Sequence, residues 1–261
     1  MTGDGSQALA AVLAAWATLA GASIGSFLNV VIARVPERRS LWRPGSACPG
    51  CGAVIAWHDN IPILSFVALR GRCRACATPI PWRYPIVEAV TAALFAAAGL
   101  AFGATLEGVV AAALLAGLVA LTAIDLERQI IPDVISLPGI LAGVLANLAT
   151  DRVSWVESLL GIGVGGGVFL VIILASGGGM GAGDMKLGAM LGAFLGWKVV
   201  LLSVFVAVVL GGALAVTLIA SGLRGRKDPI PFGPFLAAGG AAGLFWGERV
   251  VRWYLGGFGA F

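Results

Sequence analysis

The sequence predicts an all-α, polytopic integral membrane protein of about eight transmembrane helices, with a small cytoplasmic zinc-binding loop domain between helices 1 and 2. Two observations predict the membrane class: 59% of the 261 residues are hydrophobic and only 11% are charged, and the mean hydropathy is +0.97. A soluble domain averages about 45–50% apolar and about 25% charged residues. The third observation is that all four cysteines fall in one polar loop.

Apolar windows of about 20 residues mark transmembrane helices, and shorter windows occur where a helix is broken or tilted. The predicted spans are 8–32, 86–103, 106–124, 134–149, 155–175, 185–196, 198–221 and 233–255. The sixth is short, and only the "GWK" at 196–198 separates it from the seventh. These spans divide the chain into a first transmembrane helix (1–32), the cysteine loop (33–85) and a seven-helix membrane domain (86–261).

Many of the 39 glycines lie inside these apolar runs, where small residues let helices approach closely. The stretch "GIGVGGG" at 161–167 superficially resembles a nucleotide-binding loop. It lies within a span and no strand precedes it, so helix packing is the better interpretation. No motif for nucleic-acid binding accompanies the net charge of +4.

The N-terminal segment lacks the positive region of a secretory signal, because Asp4 precedes the first apolar run and the arginines follow it. We therefore expect a retained first span with its N-terminus outside. That orientation puts four basic residues on the outer side: Arg152, Lys198, Arg249 and Arg252. It puts thirteen on the cytoplasmic side: Arg34, Arg38, Arg39, Arg43, Arg70, Arg72, Arg74, Arg83, Arg128, Lys186, Arg224, Arg226 and Lys227. This asymmetry follows the positive-inside rule, with the loops at 33–85, 125–133, 176–184 and 222–232 in the cytoplasm.

The cysteines form two knuckles, "CPGC" (Cys48, Cys51) and "CRAC" (Cys73, Cys76). Two C-x2-C knuckles separated by about 20 residues are typical of a structural zinc site, in which each knuckle gives two thiolates to one tetrahedral ion. Two disulfides are the alternative, which a reducing cytoplasm disfavours. His58 lies between the knuckles and is interpreted as a polar loop residue, because four cysteines already complete the tetrahedron.

Two aspartates flank cytoplasmic loops at similar depth. Asp125 ends the third span and Asp184 opens the sixth, within "GAGDMK". Taken singly, Asp184 could be a helix N-cap and Asp125 a solvated helix end. Together they suggest a pair in which one carboxyl group holds a proton while the other polarises a water, as in aspartic proteases. Gly181 and Gly183 would let an extended substrate or a neighbouring helix approach the backbone.

Asp133 and Lys186 are supporting candidates. Asp133 follows Pro132 at the start of the fourth span, where helix capping explains it, and it is the second choice as partner of the pair. Lys186 could orient local groups, but we interpret it first as one of the cytoplasmic charges.

Six ordered motifs resemble those of one family, the type IV prepilin peptidases or leader peptidase/N-methyltransferases of the bacterial inner membrane. They are "GSFLNVVIARVP" (25–36), "CPGC" through "DNIPILS" to "LRGRCRAC" (48–76), "RYPIVE" (83–88), "DLERQIIPD" (125–133), "GAGDMK" (181–186) and "PFGPFLAAG" (231–239). The resemblance extends over nearly the whole chain.

The resemblance implies an aspartic endopeptidase that removes the basic leader from type IV prepilins or type II secretion pseudopilins at the cytoplasmic face of the bilayer. By position, the catalytic aspartates would be Asp125 and Asp184, the latter in the GxGD motif, within the domain at 86–261. It also implies N-methylation of the new N-terminus by S-adenosylmethionine, for which the sequence identifies no binding residues. The oligomeric state is left open.

Two other functions fit the same residues. A proton-coupled transporter could use the aspartates as a relay, although no inverted repeat or mid-span acid supports it. A non-enzymatic scaffold for pilus or secretion assembly could be built on the cysteine loop.

Overall fold

The computed structural model of this chain describes residues 3–175, 180–223, 225 and 228–257. All regular elements in these ranges are helical, apart from the isolated bridges Ala47–Val54 and Arg72–Pro79. The predicted all-α class is therefore confirmed. Three cationic residues of the charge count (Arg224, Arg226 and Lys227) and the glycine run at 177–179 lie outside the described residues.

The α-helices follow one another along the chain with short connections, except for the long cysteine loop. They are α1 (Gly3–Arg34), α2 (Leu64–Ala68), α3 (Arg83–Phe102), α4 (Leu106–Arg128), α5 (Asp133–Thr150), α6 (Trp155–Ala175), α7 (Ala182–Ala220), α8 (Gly233–Ala242) and α9 (Glu248–Gly257). A π-helical turn, Gly243–Gly247, continues α8 into α9.

Within the described part of the chain, six helices are long and apolar enough to cross a membrane: α1, α3, α4, α5, α6 and α7. Large apolar side chains remain exposed along them, including Leu174 at 73% and Phe205 at 65%, as expected where lipid rather than water covers the surface. The chain is a multi-pass membrane protein. The predicted count of eight spans stays a prediction, with the seventh and eighth falling on the second half of α7 and on α8 to α9.

Two predicted boundaries bear on the candidate site. Helix α4 continues to Arg128, one turn beyond the predicted end at 124, so Asp125 is a helical residue and not the start of a loop. Helix α7 begins at Ala182 and leaves the helical conformation at Gly196, whose φ of 76° suits glycine. The break predicted at "GWK" is confirmed.

The chain divides within α4, after Ala120, into two compact units. In the N-terminal unit α1 packs closely on α3. A Cβ atom added at Gly21 would lie 2.7 Å from Cβ of Phe95, and one at Gly25 would lie 2.7 Å from Cα of Glu88. Glycine at these positions lets the two backbones meet.

Helix α7 packs against α5, α6 and α8 in the C-terminal unit. A regular helix would bond the Ala193 carbonyl to the amide four residues later, but the break at Gly196 interrupts this pattern. The Ala193 carbonyl accepts hydrogen bonds from Asn147 Nδ2 (2.8 Å) and Ser158 Oγ (2.5 Å). Two buried side chains of α5 and α6 thus stabilise the break.

The glycine stretch at 161–167 lies in α6 and packs against α7. Gly161 faces the backbone of Gly192, and Gly165 faces the backbone of Gly188, each so closely that an added Cβ atom would overlap the carbonyl opposite. The helix-packing interpretation of this stretch is confirmed, since Gly161 and Gly165 allow direct backbone contact between α6 and α7.

This contact predicts that Gly161→Ala lowers the thermal unfolding temperature of the purified protein in detergent. The added methyl group overlaps the Gly192 backbone, and overpacking of this kind costs about 1–3 kcal/mol. Gly163→Ala is the matched control, because no atom lies within 4 Å of the added Cβ position on the same helix. Equal stability of the two variants would contradict the packing described.

Candidate active site and metal centre

Asp125 lies in the last turn of α4 and is almost completely buried, with 6% of its surface exposed. Burying a carboxyl group is costly unless hydrogen bonds replace its lost hydration. The Gly233 amide supplies one, donating to Asp125 Oδ2 over 2.9 Å. Asp125 is thus not the solvated helix end considered from the sequence.

Gly233 is the first residue of α8, so its amide is one of the donors that a helix N-terminus leaves without an intrahelical partner. The preceding residue, Phe232, makes no side-chain capping bond. Asp125 therefore caps α8 from another helix, and the positive end of the helix dipole favours an acidic group there. A Cβ atom at position 233 would lie 2.7 Å from Asp125 Oδ2, so only glycine fits this approach.

Asp184 occupies the first turn of α7 and is half-buried. The residue that precedes this helix is Gly181, and the Asp184 amide donates to its carbonyl over 3.2 Å. Asp184 is therefore inside the helix and is not its N-cap, and an acidic group in this first turn interacts favourably with the helix dipole. Its side chain interacts electrostatically with Asp125.

The end of α4 thus lies at the start of α8, and Asp184 at the start of α7 is near enough to Asp125 for an electrostatic interaction. The assignment of Asp125 and Asp184 as a catalytic pair stays a prediction. Two neighbouring carboxyl groups in a poorly hydrated site cannot both ionise easily, so the pair can hold one proton between them. Such a pair can activate a water and protonate a leaving group without a metal ion.

The glycines flanking Asp184 have different surroundings. A Cβ atom at Gly183 would lie 2.9 Å from Cβ of Ile131, in the connection between α4 and α5. At Gly181 the nearest atom is 3.9 Å away, and Asp184 Oδ2 is at 4.0 Å. Gly183 therefore serves packing, while Gly181 leaves open space beside the carboxylate.

Lys186 forms an ion pair with Asp133, with Nζ 2.5 Å from Oδ1. The pair joins the first turn of α7 to the first turn of α5. Asp133 follows the N-cap position, which Pro132 occupies, so the capping interpretation of Asp133 is wrong. Its side chain is exposed and its partner is a lysine, whereas Asp125 faces Asp184.

The four cysteines come together in the N-terminal unit. Their Sγ atoms all lie within 4.8 Å of one another, and no disulfide joins them. Cys48 and Cys76 Sγ are 3.7 Å apart. A tetrahedral zinc ion with Zn–S bonds of about 2.3 Å requires sulfur atoms roughly 3.8 Å apart. The cluster could therefore hold a metal ion.

The two knuckles have matching backbone turns. The Gly52 amide donates to the Cys48 carbonyl and the Ala77 amide to the Cys73 carbonyl, both over 2.9 Å. Gly52 and Ala77 are the corresponding residues, and both have positive φ, 73° and 58°. Such paired turns are how two C-x2-C segments aim four sulfur atoms at one point.

Thr78 favours the thiolate that metal binding requires. Its hydroxyl lies 3.1 Å from Cys76 Sγ. This hydrogen bond, together with the Thr78 amide and the neighbouring thiols of Cys51 and Cys73, lowers the pKa of Cys76 to about 6. Cys76 is therefore largely a thiolate at neutral pH, the form that binds metal ions.

The segment between the knuckles is held by a residue pair that the sequence did not single out. Arg74 donates to both oxygens of Asp59, over 2.8 and 2.6 Å, and this guanidinium lowers the pKa of Asp59. His58 packs its ring on Trp57 and is not one of the four clustered ligands. Its interpretation as a loop residue agrees with this position.

Comparison with known proteins identifies two matching families. The profile of the "Bacterial Peptidase A24 N-terminal domain" matches residues 19–102, and that of the "Type IV leader peptidase family" matches residues 112–216. No solved structure matches the chain.

Several curated relatives named "Prepilin leader peptidase/N-methyltransferase" are similar along most of the chain. The protein of Burkholderia pseudomallei (strain 1026b) is 39% identical, over 89% of this chain and 85% of its own. That of Aeromonas hydrophila is 40% identical, over 90% of this chain and 91% of its own. That of Pseudomonas aeruginosa is 37% identical, over 91% of each chain.

Proposed function

The chain belongs to the type IV leader peptidase family, and we propose that it is a membrane aspartic endopeptidase that removes the leader from type IV prepilins or type II secretion pseudopilins. The observation that carries this proposal is the meeting of buried Asp125 with Asp184 at the ends of two helices. Membership in this family disfavours the transporter and scaffold alternatives.

In this proposal Asp125 and Asp184 share one proton. The ionised carboxylate takes a proton from water, whose oxygen attacks the carbonyl carbon of the scissile peptide bond, while the protonated partner donates to the carbonyl oxygen. Collapse of the tetrahedral intermediate breaks the C–N bond and the amine leaves with a proton. The Gly233 amide keeps Asp125 Oδ2 in a fixed position, and the space beside Gly181 admits the extended peptide.

The proposed location is the bacterial inner membrane, with the N-terminus outside and the aspartates at the cytoplasmic face. The charge asymmetry of thirteen basic residues to four supports this orientation. A prepilin leader is basic and cytoplasmic, so the scissile bond would reach the membrane edge at the depth where α4 ends and α7 begins.

We further propose that the four cysteines bind one structural Zn²⁺ and that the protein methylates the new N-terminus with S-adenosylmethionine. Four thiolates complete the zinc coordination shell, so the ion would stabilise the loop without taking part in chemistry. Binding free energies in zinc-finger peptides are about 10–16 kcal/mol, enough to fold a loop with little core. Because the ion would fold this loop, we treat residues 33–85 as a separate domain.

The carboxylate pair predicts that Asp125→Asn and Asp184→Asn each abolish cleavage of a co-expressed prepilin, measured by mass spectrometry of the product. Asp151→Asn is the control, since Asp151 is exposed beyond the C-terminus of α5. Asp133→Asn tests the second-choice partner. Loss of cleavage in Asp133→Asn together with normal cleavage in Asp125→Asn would overturn the assignment of the pair.

The approach of α8 to α4 predicts that Gly233→Ala reduces cleavage at least tenfold, because the methyl group displaces the Asp125 carboxylate. Gly212→Ala adds the same group to α7 where no atom lies within 4 Å, and it should cleave normally. Full activity of Gly233→Ala would show that the position of Asp125 Oδ2 is unimportant.

For the metal centre, elemental analysis of the purified protein should find about one zinc per chain. Replacing Cys48 and Cys51 together with serine should remove the zinc and expose residues 33–81 to limited proteolysis, because the loop loses its coordination bonds. His58→Ala should keep the zinc, as His58 lies outside the cluster. A zinc-free preparation with a protease-resistant loop would contradict this structural role.

A further inference from the structure

The N-terminal unit contains a cavity of about 550 Å³, within the roughly 300–1,000 Å³ of small-molecule sites. It lies between the cysteine loop and the C-terminal part of α1 and the N-terminal part of α3. Its apolar walls include Ile61, Ile63 and Phe66, and two buried polar side chains, Asn29 and Glu88, also line it.

Asn29 offers a buried acceptor that no group among the described residues uses. Only 2% of the residue is exposed, and its Oδ1 atom has no hydrogen-bond partner. Its Nδ2 atom donates to the carbonyls of Gly25 (3.3 Å) and Tyr84 (3.2 Å). Both partners are acceptors, so Oδ1 and Nδ2 of the side-chain amide cannot exchange places. Oδ1 therefore requires a donor from elsewhere. An unpaired buried polar atom of this kind is uncommon and calls for a ligand or a water.

Glu88 is a second buried acceptor in the same cavity, with 8% of its surface exposed. Its Oε2 atom accepts the Ile63 amide over 2.7 Å. Ile63 has a φ of 62°, which is rare for a β-branched residue, so this hydrogen bond holds a strained turn in place. The position of the carboxylate is therefore determined before any ligand binds.

The cations near the cavity are already engaged. Arg34 donates to four carbonyls of residues 40–45, and Arg74 is paired with Asp59. The groups that act on the Glu88 carboxylate are the Ile63 amide and the Ser26 hydroxyl, and neither of them is charged. The cavity therefore combines a buried carboxylate with an unused amide oxygen, and both accept hydrogen bonds from a positively charged donor.

An α-ammonium group has this chemistry, since it carries one positive charge and three N–H donors. We propose that the cavity binds S-adenosylmethionine, whose α-ammonium group donates to Asn29 Oδ1 and to the carboxylate of Glu88. This inference rests on the proposed N-methyltransferase function. The apolar walls suit the adenosine part of the same molecule, because small-molecule sites are mostly apolar with a few placed polar groups.

The test is calorimetric titration of the full-length protein in nanodiscs with S-adenosylhomocysteine, which keeps the ammonium group and transfers no methyl. Glu88→Gln keeps the shape of the side chain and removes its charge, so affinity should fall about tenfold or more. Glu107→Gln makes the same change in α4 outside the cavity, and it should bind like the unmodified protein. Equal affinity of Glu88→Gln and the unmodified protein overturns the proposal.

A second ligand and a second variant keep the test independent of folding. Methylthioadenosine lacks the amino-acid part, so Glu88→Gln should leave its affinity unchanged; an equal loss for both ligands overturns the role of the ammonium group. Ala33→Phe places a ring in the cavity from α1 without changing charge. It should weaken binding of both ligands at least tenfold, and normal binding overturns the cavity as the site.

A processed pilin N-terminus also carries an α-ammonium group. If a peptide with this N-terminus binds more tightly than S-adenosylhomocysteine, and Glu88→Gln abolishes only the peptide's binding, the assignment to the methyl donor is overturned. Prepilin cleavage is measured in the same preparation. A protein that cleaves but does not bind S-adenosylhomocysteine refutes this inference alone, whereas one that does not cleave refutes the proposed peptidase.

Discussion

The hydrogen bond from the Gly233 amide to Asp125 is the interaction on which the arrangement of the carboxylates depends. It satisfies two groups that would otherwise be costly to bury, an unpaired amide at a helix N-terminus and a carboxyl oxygen. Because a Cβ atom at the first residue of α8 would lie 2.7 Å from Asp125 Oδ2, glycine at position 233 allows the backbone to reach the carboxylate. The position of Asp125 is thus determined by backbone contact, which is stiffer than contact through a flexible side chain.

The second aspartate depends on how α7 is held. Backbone contacts at Gly188 and Gly192 position its first half against α6, while Asn147 and Ser158 stabilise the break at Gly196. Both sets of contacts lie on the C-terminal side of Asp184 in α7. They therefore hold the middle of the helix and not the first turn, which carries Asp184. The start of α7 is attached to the segment between α4 and the first residue of α5. Gly183 contacts Ile131 there, and Lys186 pairs with Asp133. Each carboxylate is therefore located relative to the same short segment.

Patterns that repeat along the chain predicted most of the helices, because apolar runs and helix breakers act locally. The α6 span, the break near Gly196 and the two cysteine knuckles were all found in this way. The α4 end was missed because Asp125 and the charged residues after it resemble a loop, and only burial against α8 shows otherwise. Gly233 and Asn29 were missed as site residues, since their roles arise from partners far away in sequence. Glu88 offered a signal, an acid near the start of an apolar span.

The desolvation cost of a buried carboxyl group is offset differently in the two units. This difference affects what each unit can bind. Asp125 lies beside another carboxyl group, so the pair needs a proton, and a shared proton is what peptide hydrolysis uses. No carboxyl group is among the groups that act on Glu88. The Ile63 amide donates a hydrogen bond to it but carries no charge. In our proposal a positively charged ligand compensates the charge of Glu88. In our proposals a buried carboxyl group thus supports acid–base chemistry in one unit and cation recognition in the other, according to whether it lies beside a second carboxyl group or beside a cavity lined by hydrogen-bond acceptors.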